Sequence, residues 1–554
     1  MQGAGPGTRY FFRLDDRVDR PDPASRFQPV GVHGPSQVVR SDFEWTDGEW
    51  RGVARQDLVI YEVHVGTFTP GGTFGDMIAR LDTLVRLGVT AIELMPVAQF
   101  PGGRNWGYDG VHPYAPQNSY GGPEGLKSLI DACHSRRLAV ILDVVYNHLG
   151  PEGNYLAEFG PYLSDRHRTA WGAAINFDGP DSDAVCDFFI GNALYWIDEF
   201  HVDGFRLDAT HAIHDQTAQP FLRRLTEAVH QRSERLGRHI LVVAENNAND
   251  PRIVTDARQG GLGFDGQVLD DFQRSLHALL TRERAGYYSD FGTVADFSKA
   301  ATEGFVLTGQ HSKYRRRLWG APGADVPGNR LIAYAQNHDT VGNRPGGQRL
   351  GRLVSFEELK LAAAATILSR CVPMLLMGEE YDEPAGFHYF ISHLDAGLVD
   401  AVRAVRLRQF AAHGWQDMDL DPQSPQTFEQ SRLALFDAHT GHHAVLWRCY
   451  QELIRLRKAF PVIREQSQPK TATLACGDRG LVVRTYETKS ESVCLLLNFD
   501  GGPQTYSLPS HVDRRWSLAF NSASTRWSGP DVDEPLRSDA VVLSPKSCAM
   551  CVSR

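Results

Sequence analysis

The sequence predicts an α/β protein, a (β/α)8 TIM barrel with insertions, followed by a small C-terminal β-sandwich. Three observations carry that expectation. From Asp57 onward, apolar strand-like runs alternate with stretches whose apolar residues recur at helical spacing, the rhythm of βα units. Four of those runs end in polar clusters: one in Tyr146-Asn147-His148, one in Arg206-Leu207-Asp208, one in Glu245-Asn246 and one in Asn337-His338-Asp339. Buried strands that each finish in polar groups describe a parallel barrel with its site at the C-terminal face. After about residue 466 the pattern turns to short alternating strands, such as 481–486 and 492–498.

In chain order, residues 1–55 are rich in Gly and Pro, with short β-like pieces such as 10–14, and read as the tail of a domain plus a linker. Residues 58–65 are the first barrel strand, and 74–87 carry a helical apolar pattern. The second strand is 90–96, with a later helix over 124–136, and the third ends at His148. A loop rich in Gly, Pro and aromatics spans 149–181, a length more often functional than idle. Residues 182–200 form a helix with a broad apolar face, 200–209 the fourth strand, and 221–236 the next helix. The fifth strand reaches Glu245, the sixth spans 266–269, the seventh ends before Asn337, and 372–377 is the eighth. An excursion over 380–444 precedes a closing helix at 450–460, so that 56–466 is the catalytic barrel and 467–554 the C-terminal sandwich.

Composition bounds the function. A chain of 554 residues with 42% hydrophobic content makes a large core plus smaller domains. Its net charge of -10 is modest and its Lys and Arg are scattered, so no nucleic-acid footprint is expected, and a neutral polar ligand fits better. The N-terminus lacks an apolar leader, and the longest apolar stretch, 361–368, stops at Ser369-Arg370, so no membrane segment is expected and the reading is a cytoplasmic protein. Eight cysteines dispersed through the chain are not a disulfide framework. Cys548 and Cys551 form a CxxC inside a strand-like run, which reads as two ordinary cysteines.

The fourth strand is where chemistry is most legible. Side chains alternate on a strand, so Arg206 and Asp208 share one face and arrive together at its C-terminal end. Alone they read equally as a structural ion pair. Glu245 ends the adjacent strand, which sets two carboxylates across one cleft. Arg206 should hold Asp208 ionised, whereas Glu245 needs a drier setting to keep a proton near neutral pH.

The segments 143–148, 204–211, Ala244-Glu245 and Asn337-His338-Asp339, in that order, closely resemble the α-amylase superfamily of glycoside hydrolases and transglycosylases. The resemblance implies that Asp208 is the nucleophile, Glu245 the general acid and then base, and Asp339 the third carboxylate that stabilises the transition state, with anomeric retention. It also implies that Trp106, Tyr108 and Asp109 line the pocket for the ring being cleaved, and that His148 and His338 donate to sugar hydroxyls; outside such motifs either histidine would read as a core residue. Asn147 stands where calcium-binding amylases place a ligand. Calcium takes six to eight oxygen ligands in all and the rest of such a set cannot be assembled, so no metal and no cofactor are expected.

Finer matches, 61–69, 150–155, 175–180, Asn249-Asp250-Pro251-Arg252 and Asp270-Asp271-Phe272, resemble the maltooligosyltrehalose trehalohydrolase family over nearly the whole chain. That family cuts the α-1,4 bond next to a terminal trehalose and is coupled to a maltooligosyltrehalose synthase. Its members begin with a complete β-sandwich, so 1–55 is expected to be a truncated N-terminal β-sandwich. By the same resemblance Arg206, Leu207, Ala209, Thr210 and His211 contact the maltooligosyltrehalose or related α-glucan substrate. So do Asp270, Asp271, Phe272, Gln273 and Arg274, and His338, Thr340, Val341, Gly342 and Asn343. The chain departs from the family at Gln273-Arg274, where histidines are usual, at Thr340, where glutamine is usual, and at Asn246-Asn247-Ala248, which replaces a more acidic run. These departures bear on substrate preference. A glycogen branching enzyme, which shares the retaining chemistry, and a catalytically silent glucan-binding relative are the alternatives.

Overall fold

In a computed structural model of the chain, eight parallel strands close into a barrel. The described residues are 4–169, 172–415, 420–434, 440–464, 480–488, 491–509, 515–532, 536 and 540–553. The barrel strands are β1 (Ile60–Val63), β2 (Ala91–Leu94), β3 (Ala139–Val144), β4 (Gly204–Leu207), β5 (Leu241–Ala244), β6 (Gly266–Val268), β7 (Leu331–Tyr334) and β8 (Val372–Leu376), and each pairs with its sequence neighbour, β8 closing on β1.

Alternation along these strands divides the barrel interior into two layers. The lower one is apolar: Ile60, Ala91, Ile141, Leu241, Val243, Ile332, Val372 and Met374 pack as one cluster. Two residues further along the same faces, the apolar side chains give way to Glu62, Glu93, Asp143 and Arg206, with Glu62 in register with Glu93 and Asp143 with Arg206. Apolar burial thus holds the strands together below, and the charged layer opens toward the C-terminal face.

Around the barrel lie Gly122–Ser135, Ser182–Phe200, Phe221–Leu236, Phe356–Ile367 and Gly441–Ala459 among other helices. The helix expected over 74–87 is two, Phe74–Ile78 and Leu81–Leu87; at the break the bonds tighten to i→i+3, with Arg80 N on Met77 O at 2.9 Å and Thr83 N on Arg80 O at 3.1 Å. The expected loop over 149–181 holds an antiparallel pair, Leu163–Thr169 with Gly172–Ile175. The excursion after β8 contains the helix Ala396–Ala412.

Beyond the barrel, Leu481–Glu487, Ser492–Asn498, Cys548–Ser553 and Trp516–Asn521 make a four-stranded antiparallel sheet, and Gln504–Ser507 pairs with Ala540–Leu543. The expected boundary at 466–467 lies outside the described residues. Cys548 and Cys551 face opposite sides of their strand, one in each of two separate core clusters, so they cannot close on one metal. Near the N-terminus the described strands are short, Arg9–Tyr10 with Ser36–Gln37 and Phe12–Leu14 with Val18–Arg20. Among the described residues no helix is long and apolar enough to cross a membrane.

Candidate active site

Three carboxylates expected at the strand ends meet above the charged layer. Asp208 follows β4, and its buried carboxylate is held at both oxygens: Oδ1 accepts from Arg206 at 3.0 Å and Oδ2 from the Asn147 amide at 2.6 Å. Burial alone would raise its pKa, but the Arg206 guanidinium, with His148 and the Asn147 hydrogen bond, holds it below the usual carboxylate range.

Glu245 follows β5 and has the opposite balance. Its Oε2 accepts from Ala209 N at 2.8 Å and lies 3.2 Å from Arg206, so both donors converge on one oxygen and the acid proton belongs on the other. Burial, with Asp208 and Asp339 close by, outweighs the shared Arg206 and pushes Glu245 up to about 8. The N–H that reaches Glu245 comes from a strained residue: Ala209 sits at φ 40°, ψ 49°, in the left-handed region that a side chain disfavours.

Asp339 is reached through the short helix His338–Gly342, whose capping box joins Asn337 and Thr340. His338 is buried and donates through Nδ1 to Glu62 at 2.6 Å, while its Nε2 meets the Tyr108 hydroxyl at 2.8 Å. Burial is again outweighed, here by Glu62 and Asp339, so the imidazole is raised to about 9 and is charged at neutral pH. Tyr108 stacks on that ring, with centroids 5.2 Å apart, and donates to Asp143 at 2.6 Å; Asp143 in turn takes Arg206 at 2.8 Å. One network therefore runs from β1 through His338, Tyr108 and Asp143 to Arg206 and the two carboxylates beside it.

Other expected site residues divide in two. His211 is exposed beside the cleft, and Thr210 donates its hydroxyl to the Glu245 carbonyl at 2.8 Å. Arg274 pairs with Asp270 at 2.7 Å, Asp270 also takes the Tyr334 hydroxyl, and both stand near enough to His211 to act on its charge. Asp109 takes the Asn105 amide at 2.6 Å and lies 3.6 Å from His393. His148 places Nε2 on the Tyr108 carbonyl at 2.9 Å.

For several residues the expectation of substrate contact does not extend to the side chain. Leu207, Phe272 and Val341 are part of the main hydrophobic core, because strand and helix periodicity turns them away from the cleft. Asp271 is buried, and one of its oxygens takes Asn249 and the backbone N–H groups of Val306 and Leu307. Gln273 is equally buried, on the same helix. The Thr340 hydroxyl is spent on its cap, bonded to Asn337 N and O. Trp106 is core rather than platform: its indole N–H goes to the His388 carbonyl and its ring stacks on Phe387 at 5.4 Å. Gly342 lets that ring in, since a Cβ there would lie 2.1 Å from the indole. Both ends of the Asn147 amide are engaged, by Asp208 and by His148.

Glu62, Glu93 and Asp143 belong to the site without having been singled out as site residues. Their signal was present: a lone acid in each of three apolar strands, at the position that alternation turns inward. Burial pushes Glu93 up to about 8 and Asp143 to about 6, against the pull of Arg206.

Comparison with known proteins places this geometry. Residues 37–171 match the alpha amylase catalytic domain family. A malto-oligosyltrehalose trehalohydrolase of Saccharolobus solfataricus is 47% identical over 460 residues, which cover 83% of this chain and 78% of that one. A 1,4-alpha-glucan branching enzyme of Corynebacterium efficiens is 32% identical over 299 residues, covering 47% of this chain and 40% of its own. A Salmonella typhimurium crystal structure described as an alpha amylase superposes with a TM-score of 0.89 at 35% identity, covering 100% of this chain and 92% of that one. The 47% identity over 83% of the chain outweighs the 32% identity over 47% of it, and the chain is a glycoside hydrolase that belongs to the malto-oligosyltrehalose trehalohydrolase family.

Proposed function

We propose that the protein hydrolyses the α-1,4-glucosidic bond next to the terminal α,α-trehalose of maltooligosyltrehalose, releasing trehalose and a shortened maltooligosaccharide. The observation that carries the chemistry is the split between two carboxyls around one guanidinium: Asp208 is held ionised and Glu245 holds its proton. In this reading Asp208 attacks the anomeric carbon as Glu245 protonates the departing glycosidic oxygen, and a covalent glycosyl ester forms. Glu245, now ionised, takes a proton from water as that water attacks the same carbon. The ester bond to Asp208 breaks and the configuration is retained. Asp339 faces the oxocarbenium-like charge of both transition states. The choice of trehalose as leaving group rests on the family. The same reading makes a maltooligosyltrehalose synthase the functional partner and the cytoplasm the compartment. Seven unpaired, buried cysteines among the described residues favour a reducing compartment.

Product analysis tests it. Purified protein is incubated separately with maltooligosyltrehalose and with plain maltooligosaccharide, beside Asp208→Asn. Free trehalose from the first, little change in the second and silence from the variant are the expected outcome. New α-1,6 linkages without trehalose would move the protein to the branching enzymes, and no reaction at all would make it a silent glucan binder.

A further inference from the structure

Of the three carboxylates, Asp339 is the one the barrel holds least. Its side chain is 47% exposed, against 11% for Asp208 and 17% for Glu245, and the nearest cation in its own motif, His338, stands 3.7 Å away. A hydrogen bond comes from the Asn343 amide, Nδ2 to Oδ1 at 3.1 Å. An exposed amide hinged on its own χ angles would be a loose support. The other end of this amide is anchored: its oxygen accepts from Arg406 at 2.5 Å, and the same guanidinium donates to the Gly342 carbonyl at 3.0 Å.

Arg406 does not belong to the barrel. It lies on the helix Ala396–Ala412, in the excursion after β8, and is 6% exposed. Two aromatic faces fix the plane of its guanidinium, Tyr389 at 4.8 Å and Phe410 at 5.1 Å. Gly342 is also packed against Trp106, which itself hangs from the His388 carbonyl. The excursion therefore grips the last turn of the helix that carries Asp339, and a cation polarises the amide that donates to its carboxylate.

We propose that Arg406 is a positioning residue for Asp339, acting through Asn343, so that the excursion after β8 completes the catalytic site. This rests on Asp339 being the transition-state carboxylate of the function proposed above, and not on the identity of the leaving sugar. A carboxylate that must meet charge developing in the transition state loses rate when it wanders, with little effect on substrate binding.

The test is a double-mutant cycle read in kcat, KM and melting temperature. Arg406→Met and Asn343→Ala should each lower kcat by about tenfold and leave KM within about twofold. The double variant should be no slower than the worse single one, and Arg406→Lys, which keeps the charge but not the fork, should fall between. Losses that multiply in the double variant would overturn the relay. So would an unchanged kcat with only a lower melting temperature, or a loss confined to KM. Should Arg406→Met fail to fold, Arg406→Lys combined with Asn343→Ala closes the same cycle. If the wild type releases no trehalose but cleaves another α-glucan, the proposed substrate fails and the cycle is read on that glucan; a wild type inert toward every α-glucan removes both.

Discussion

Both ends of the barrel carry buried acids, histidine and arginine, yet only one end is built for chemistry. At the N-terminal end Asp203 accepts from four donors: Trp50 at 2.6 Å and Arg238 at 3.1 Å on Oδ1, His134 at 2.9 Å and Val140 N at 2.8 Å on Oδ2. Asp47 closes the other side of His134 at 2.7 Å and takes His201 at 2.8 Å. Trp45 and Trp50 stack on these two imidazoles, so the strap of residues 45–51 is riveted across the foot of the barrel. Acids and cations there are matched, and burial of Asp203 is outweighed by His134 and Arg238, which hold its pKa down. At the C-terminal end Glu62, Glu93, Asp143, Asp208, Glu245 and Asp339 share Arg206 and His338, and three of those acids are pushed up. The lesson is that buried charge by itself does not mark a site. An excess of one sign, held in place by the fold, does.

The comparison can be broken most sharply by neutralising one acid at each end. Glu245→Gln should cost on the order of a thousandfold or more in kcat while melting no earlier than wild type, since it fixes the neutral form that burial and the neighbouring acids already favour. Asp203→Asn should do the reverse: kcat and KM stay within about twofold, and stability falls by about 3–5 kcal/mol because His134 and Arg238 lose the carboxylate charge that offsets theirs. Steady-state rates and thermal unfolding on the same preparations check both. A loss of stability from Glu245→Gln as large as that from Asp203→Asn would erase the distinction.

A smaller effect separates the ends by pH. Catalysis needs Glu245 protonated and Asp208 ionised, so kcat/KM should fall as pH rises through about 8, and on the acid side only below the ordinary carboxylate range. Glu245→Gln should abolish the alkaline limb in whatever rate remains, and a limb that survives would assign it to another group.

Much of this contrast is legible in the sequence, and the part that is not has a common cause. The helices over 182–200 and 221–236 stand where their periodicity set them, because a long apolar stripe leaves few other arrangements. Strand ends at 208, 245 and 339 were visible because a polar cluster after an apolar run is a local signal. Glu62 was not, since its meaning depends on His338, 276 residues away. Arg406 was hidden for the same reason, in a stretch read as an excursion. The strap reads as linker in the sequence because Asp47, Trp45 and Trp50 find their partners on distant elements, His201, His134 and Asp203, which no backbone period announces. Thr340 read as a departure in the substrate-contacting run, whereas its hydroxyl closes a helix cap.

The finest test lies in the strap itself. Both nitrogens of His134 face carboxylate oxygens, so the ring must be an imidazolium; burial would lower its pKa, but Asp203 and Asp47 more than offset that and raise it. A group raised on folding stabilises fully below its unfolded pKa, roughly 6.5, and that share is lost as pH climbs through the raised value. Asp203 and Asp47 are depressed, so their share is present above roughly 4 and lost as pH falls through the depressed values. The strap should therefore be held most firmly between roughly pH 4 and 6.5. Hydrogen exchange of residues 45–51, corrected for intrinsic rates, should quicken as pH rises above that window, and His134→Gln should flatten the alkaline part of the dependence. If the strap exchanges alike at all pH values while the rate profile still bends near 8, the matched end of the barrel is held by stacking alone, and charge pairing there is incidental.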